Sequence, residues 1–169
     1  MRNSFWMNFK IVRESDMAEE LKIRIRDYKS VEQHLKNLGG KFLEELNVIN
    51  IYFNQQKGFV LKIAEYDKGA FLVNLKSKDG KFDILKYESI DNLDQVKREL
   101  TGKYGVKCIL KKKRRLWSLE GTPIDINLIE NVGEFLIVEG ENLKEDIITN
   151  KLKIKNPEFV RVSFDDLKK

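Results

Sequence analysis

Glu19-Glu20-Leu21-Lys22-Ile23-Arg24-Ile25-Arg26 alternates charged and hydrocarbon side chains almost residue by residue. With a period of two, Glu20, Lys22, Arg24 and Arg26 share one face, and Leu21, Ile23 and Ile25 share the other. This predicts a strand with an apolar back and a charged front. A single strand of this kind is explained by a solvated sheet face. Later segments repeat the alternation, and the repetition points to a shared charged surface.

Working outward, Ser30 to Leu38 carries Val31, Leu35 and Leu38 at helical spacing. Ser30 and Gln33 have capping-box spacing, and Gly39-Gly40 supplies a stop. Strand signals follow over 42–53, 58–66, 70–77 and 81–90, divided by turns at 55–58, 67–69 and 78–80; Lys78-Asp79-Gly80 reads as a hairpin. A second helix is expected from Asn92 to Leu100 with Asp91 as cap. Three strands follow over 106–119, 123–128 and 134–139. Leu143, Ile147 and Ile148 predict a third helix, and Asn156-Pro157 predicts a last one through Phe159, Val162 and Leu167. Residues 1–16 show no period and are expected to be an N-terminal extension to one domain over 17–169.

The 169 residues are 41% hydrophobic and 35% charged, enough for one well-buried core. Thirty-two Lys and Arg against 27 Asp and Glu give net +5, which suits an anionic partner without naming it. The lone Cys108 excludes a disulfide scaffold within the chain. His34, with no second histidine, reads as a surface or boundary residue. No run has the length of a membrane span, so a cytoplasmic protein without a membrane partner is expected.

Strand, helix, four strands, helix, three strands, helix predicts an antiparallel α+β fold. Charged faces on eight strands are stable toward water or around a filled polar cavity. An eight-stranded antiparallel closed β-barrel, a tunnel with helices packed outside, satisfies the second condition. Its inward candidates are Glu20, Lys22, Arg24, Lys62, Lys76, Lys86, Glu88, Lys112, Arg114 and Glu139. A positive excess of this size calls for a polyanion such as a triphosphate. Acids among the bases suit Mg²⁺ or Mn²⁺, since the ligands are oxygens. Across Lys111 to Arg115, five consecutive bases leave open which alternate set looks inward.

These residues resemble the CYTH or triphosphate tunnel metalloenzyme family, which includes class IV adenylate cyclases and thiamine triphosphatases. The family's E-x-E-x-K-x-R strand is matched at Glu20, Lys22 and Arg24. Further matches are Tyr52-Phe53, Gly58 with Leu61-Lys62-Ile63, Lys76, Tyr87-Glu88, Lys112-Lys113-Arg114, Gly133 with Phe135 and Glu139, and Ser163-Phe164-Asp165-Asp166-Leu167. The resemblance implies phosphate contacts from Lys22, Arg24, Lys62, Lys76, Lys112 and Arg114. It implies metal ligation by Glu20, Glu88 and Glu139, and it extends to a homodimer.

Departures accompany the matches. Ala18, Asn50, Asn127 and Ile137 stand where the family carries acids, Ala64 and Ile84 where it carries arginines, and Lys86 where it carries glutamate. Loss of carboxylates weakens divalent-metal affinity, so anion binding can outlast catalysis. Two functions follow from the resemblance. One is a metal-dependent triphosphatase or class IV adenylate cyclase-like enzyme. The other is a catalytically impaired module for polyphosphate, nucleotide or the 5′-triphosphate end of RNA, with Trp117, Phe59 and Phe71 as candidate stacking residues.

Overall fold

The computed structural model of the chain describes residues 19–79, 81–140 and 145–168. The expected extension over 1–16, Gly80 in the hairpin and Leu143 lie outside the described residues.

The alternating stretch forms β1 (Glu19–Ile25). It runs antiparallel to β8 (Gly133–Gly140), with Lys22 opposite Ile137 and Arg24 opposite Phe135. Its apolar back is buried: Ile23 and Ile25 join Val31 and Leu35 of helix α1 (Tyr28–Asn37) in one core cluster. The helix begins earlier than the Ser30–Gln33 spacing predicts, because the Asp27 carboxylate accepts from the backbone N–H groups of Lys29 and Ser30. Past its end, Gly39 adopts a φ of +84°, which favours glycine.

The remaining strands are β2 (Lys41–Phe53), β3 (Phe59–Tyr66), β4 (Gly69–Lys78), β5 (Lys81–Ile90), β6 (Val106–Leu119), β7 (Thr122–Ile129) and β9 (Glu158–Phe159). Helix α2 (Leu93–Tyr104) is capped by Asn92, which accepts from Gln95 N–H, and it ends at Gly105. Helices α3 (Glu145–Leu152) and α4 (Phe164–Leu167) follow β8 and β9 respectively.

The strands form one nine-stranded sheet in the order β5-β4-β3-β2-β6-β7-β8-β1-β9, with neighbours antiparallel. The α+β character expected from the sequence holds. The eight-stranded closed barrel does not: β5 and β9 are the ends of an open sheet. Closure would require β5 to pair with the outer edge of β1. That edge is occupied by β9, which sets Phe159 opposite Ile23 and Glu158 opposite Arg24, while Val160 N–H donates to Lys22 O at 2.8 Å. The same pairing replaces the first part of the expected last helix. An unpaired strand edge offers a row of backbone groups, and satisfying them outweighs the helical signal of Asn156-Pro157.

One side of the sheet carries α1 over Trp117, Leu119, Ile124, Ile126, Leu136 and Val138, and α2 over Ile51, Phe53, Leu61, Ile63 and Ala70. The other side gathers Tyr52, Val60, Leu110, Ile129, Phe135, Ile137 and Phe164. On that second side the Phe82 ring of β5 lies 5.2 Å from Lys22 Nζ of β1. Two strands near opposite ends of the sheet approach there without a backbone ladder, so this side is concave.

Candidate binding face

Cross-strand partners project from the same side of a sheet, so the register decides which expected residues meet. Lys22 lies opposite Ile137, which lies opposite Asp125; Arg24 lies opposite Phe135, which lies opposite Asn127 and then Arg114. Lys112 lies opposite Val48 and Ile129, and Lys62 lies opposite Tyr52. Lys22, Arg24, Lys62, Lys112 and Arg114 therefore share the concave face with Glu139. Lys111, Lys113 and Arg115 project from the other side, which settles the parity that five consecutive bases left open. Glu20 stands across from Glu139 in register, and its side chain lies outside the described residues.

Lys76 and Glu88 are not part of this group. Lys76 pairs with Phe59 and Asp83, and Glu88 pairs with Leu72, a residue packed into the α2 cluster. Glu88 instead makes a 3.1 Å ion pair with Lys86, with both side chains half exposed. The parity misleads because Phe71-Leu72-Val73 is apolar on both faces, so hydrophobic alternation does not choose a side for β4. A break in register between Asn74 and Leu75 then shifts the remainder of β5 by one residue.

The concave-face cations differ in their surroundings. Lys22 is buried; its ammonium donates to Val162 O at 2.9 Å and lies 4.2 Å from the centre of the Phe164 ring. Lys112 Nζ lies 5.3 Å from the same ring. Two ammoniums from β1 and β6 thus approach one aromatic ring, which attracts them through its quadrupole. Lys62 Nζ lies 5.5 Å from the Tyr52 ring. Arg24 donates to Val132 O at 3.1 Å, and a Cβ at Gly133 would stand 2.7 Å from its Nη1, close enough that the end of the arginine would have to shift.

Arg114 is held most firmly. Its Nε and Nη2 donate to Asp125 Oδ2 at 3.0 and 2.7 Å, and its Nη1 donates to Tyr66 OH at 2.8 Å. Burial works against the charge, but Asp125 and Tyr66 outweigh it and hold the guanidinium above its ordinary value. In this geometry Arg114 ties β6 to β7 and β3.

The sequence undervalued the C-terminal segment and two amides. Phe164 packs on Phe135 with centroids 4.9 Å apart, and Lys107 Nζ anchors the segment through Asp165 and Asp166 at 2.7 and 2.6 Å. Burial lowers the Lys107 pKa, while these two hydrogen-bonded carboxylates raise it by more, for a net upward shift. Asn50 and Asn127 are 1% and 0% exposed, and among the described residues neither amide oxygen nor nitrogen has a hydrogen-bond partner. Of the candidate stacking residues, Trp117 is buried beneath α1 and donates to Glu32 Oε1 at 3.1 Å. Phe71 stacks on Tyr87 at 5.2 Å.

The described side chains do not form a site for the expected divalent ion. Glu88 lies on the far side of the sheet; Asp125 Oδ2 is engaged twice by Arg114, while Asp125 Oδ1 is buried without a hydrogen-bond partner among the described residues. Among the described residues no three acidic, histidine or cysteine side chains come together as a metal site. The carboxylate set that Mg²⁺ or Mn²⁺ calls for is not assembled by the described side chains.

The model of the CYTH domain matches residues 18–161, and the chain belongs to that family. A Methanocaldococcus jannaschii protein named "Putative adenylate cyclase MJ0240" is 26% identical over 175 residues, spanning 88% of this chain and 97% of that one. The solved structure of PH1012 from Pyrococcus horikoshii superposes with a TM-score of 0.78 at 18% identity, over 90% of this chain and 100% of that one. The protein named "Putative adenylyl cyclase HpAC1" from Hippeastrum, for which a dominant triphosphatase activity is described, gives a TM-score of 0.64 at 18% identity, over 88% of this chain and 95% of that one. At these identities the two structures share the fold. Among the described residues no helix is long and apolar enough to cross a membrane.

Proposed function

We propose that this protein binds a triphosphate-containing ligand along the concave face, with Lys22, Lys62 and Lys112 meeting phosphate oxygens. The ligand class comprises nucleotides, other organic triphosphates, inorganic polyphosphate and the triphosphate end of RNA, which share the same recognised group. The observation carrying this reading is the convergence of Lys22 and Lys112 on the Phe164 ring. A charge-assisted phosphate contact stabilises an ammonium by more than an aromatic face does, so phosphate oxygens add to the contacts these two lysines already make. Arg24 and Arg114 border the path with their forks directed at Val132 and Asp125, and they shape it more than they bind.

Turnover is the second reading: water attack releasing phosphate, or cyclisation releasing pyrophosphate. The triphosphatase activity described for HpAC1, which shares the fold, favours hydrolysis. Mg²⁺ or Mn²⁺ belongs to this second reading, arriving on the phosphate oxygens of the ligand.

Calorimetric titration with ATP and with tripolyphosphate, with and without Mg²⁺ or Mn²⁺, tests the first reading; a phosphate and pyrophosphate release assay tests the second. Binding of both anions is expected. Failure of both to bind under every condition would overturn the proposal.

A further inference from the structure

Asn50 and Asn127, each with neither amide atom partnered among the described residues, occupy related places. Asn50 lies opposite Leu110, two residues before Lys112, and Asn127 lies opposite Arg114, two residues after it. Each is thus a diagonal neighbour of Lys112 on the concave face, at a reach of roughly 7–8 Å. Asn50 is also diagonal to Lys62, through Ala64 on β3. A stripe of amide, ammonium and amide crosses β2, β6 and β7.

A buried amide without a partner is costly, and a folded chain retains one where a bound water, an ion or a ligand completes it. Both amides are almost wholly enclosed, and both carry two N–H donors as well as an oxygen. Beside an ammonium, the group able to take donors from both sides is an anion with several oxygens. A carboxylate at either position would repel that anion unless a divalent cation stood between them. A neutral amide needs no such bridge.

We propose that Asn50 and Asn127 donate directly to phosphate oxygens on either side of Lys112, and that the site therefore takes a polyphosphate chain without a protein-bound divalent cation. The inference rests on the triphosphate-binding reading and goes beyond it by assigning two ligands and a metal-free mode of binding.

Tripolyphosphate is titrated calorimetrically into the full chain in EDTA and again in excess Mg²⁺, for the wild type and for Asn50→Leu, Asn127→Leu, Asn50→Asp and Asn127→Asp, with thermal melting of each apo protein. The wild type should bind in EDTA. Each leucine variant should lose about tenfold or more in affinity while melting no lower than wild type, since it removes an unpaired polar group at similar volume. Each aspartate variant should lose a comparable factor in EDTA and recover it in Mg²⁺. Wild-type binding that requires Mg²⁺ would overturn the inference and leave the triphosphate reading standing. Unchanged affinity in the leucine variants, or aspartate losses that Mg²⁺ does not repair, would also overturn it. Absence of binding in both media would overturn both.

Discussion

Lys112 and its neighbours show how one residue of parity separates a binding group from a surface group. Lys112→Ala should weaken tripolyphosphate binding by about tenfold or more, the scale of a charge-assisted contact. The double change Lys111→Ala and Lys113→Ala should weaken it by about twofold or less, since those side chains leave the other side of the sheet. Equal losses in the same calorimetric titration would refute the assigned parity. Asp125 presents a different case. Its removal strands a buried guanidinium, so Asp125→Ala should destabilise the fold by about 3–5 kcal/mol in urea denaturation. Replacing Arg114 and Asp125 together with apolar residues of similar size should cost much less. The alternating charges of Lys22, Arg24, Lys62, Lys112 and Arg114 made their shared face legible. Asn50 and Asn127 read only as lost acids, because their significance lies in burial without a partner, which a sequence does not display.

Among the elements, α1 and the C-terminal segment contrast in how they are fastened. Helix α1 rests on Leu35, which is fully buried against β1 and the neighbouring strands. Leu35→Ala should cost about 2–5 kcal/mol of global stability, read by denaturant unfolding. The segment over 158–168 holds by two residues of strand pairing, the Phe164 ring, the Lys107 anchor, and hydrogen bonds from Lys22 to Val162 O and from Lys168 to Ile109 O. Lys107→Ala should accelerate amide exchange in 158–168 while leaving β6–β8 protected, which native-state exchange resolves element by element. The folded state raises the Lys107 pKa, so its anchoring is complete below the ordinary lysine value. It is lost only as the pH climbs through the higher folded value, and tail protection should be flat across neutral pH. The strand boundaries were legible because each run is bounded by turn residues. The fate of 156–162 was not, since a helical cap signal competes there with a strand edge that exists only after the sheet has formed.

At the scale of the molecule, the order of elements as far as β8 and the antiparallel sheet followed from the sequence, and the ninth strand and the open sheet did not. Closure depends on which segment holds the outer edge of β1, and a two-residue strand near the C-terminus takes that place. The consequence falls on β5, a ten-residue strand at the end of the sheet. Long free rims recruit further chains into aggregates unless ionic groups interrupt them. Lys86 and Glu88, turned away from the phosphate path, are placed to act as such gatekeepers. Replacing both with valine should leave ligand affinity unchanged and bring on concentration-dependent light scattering.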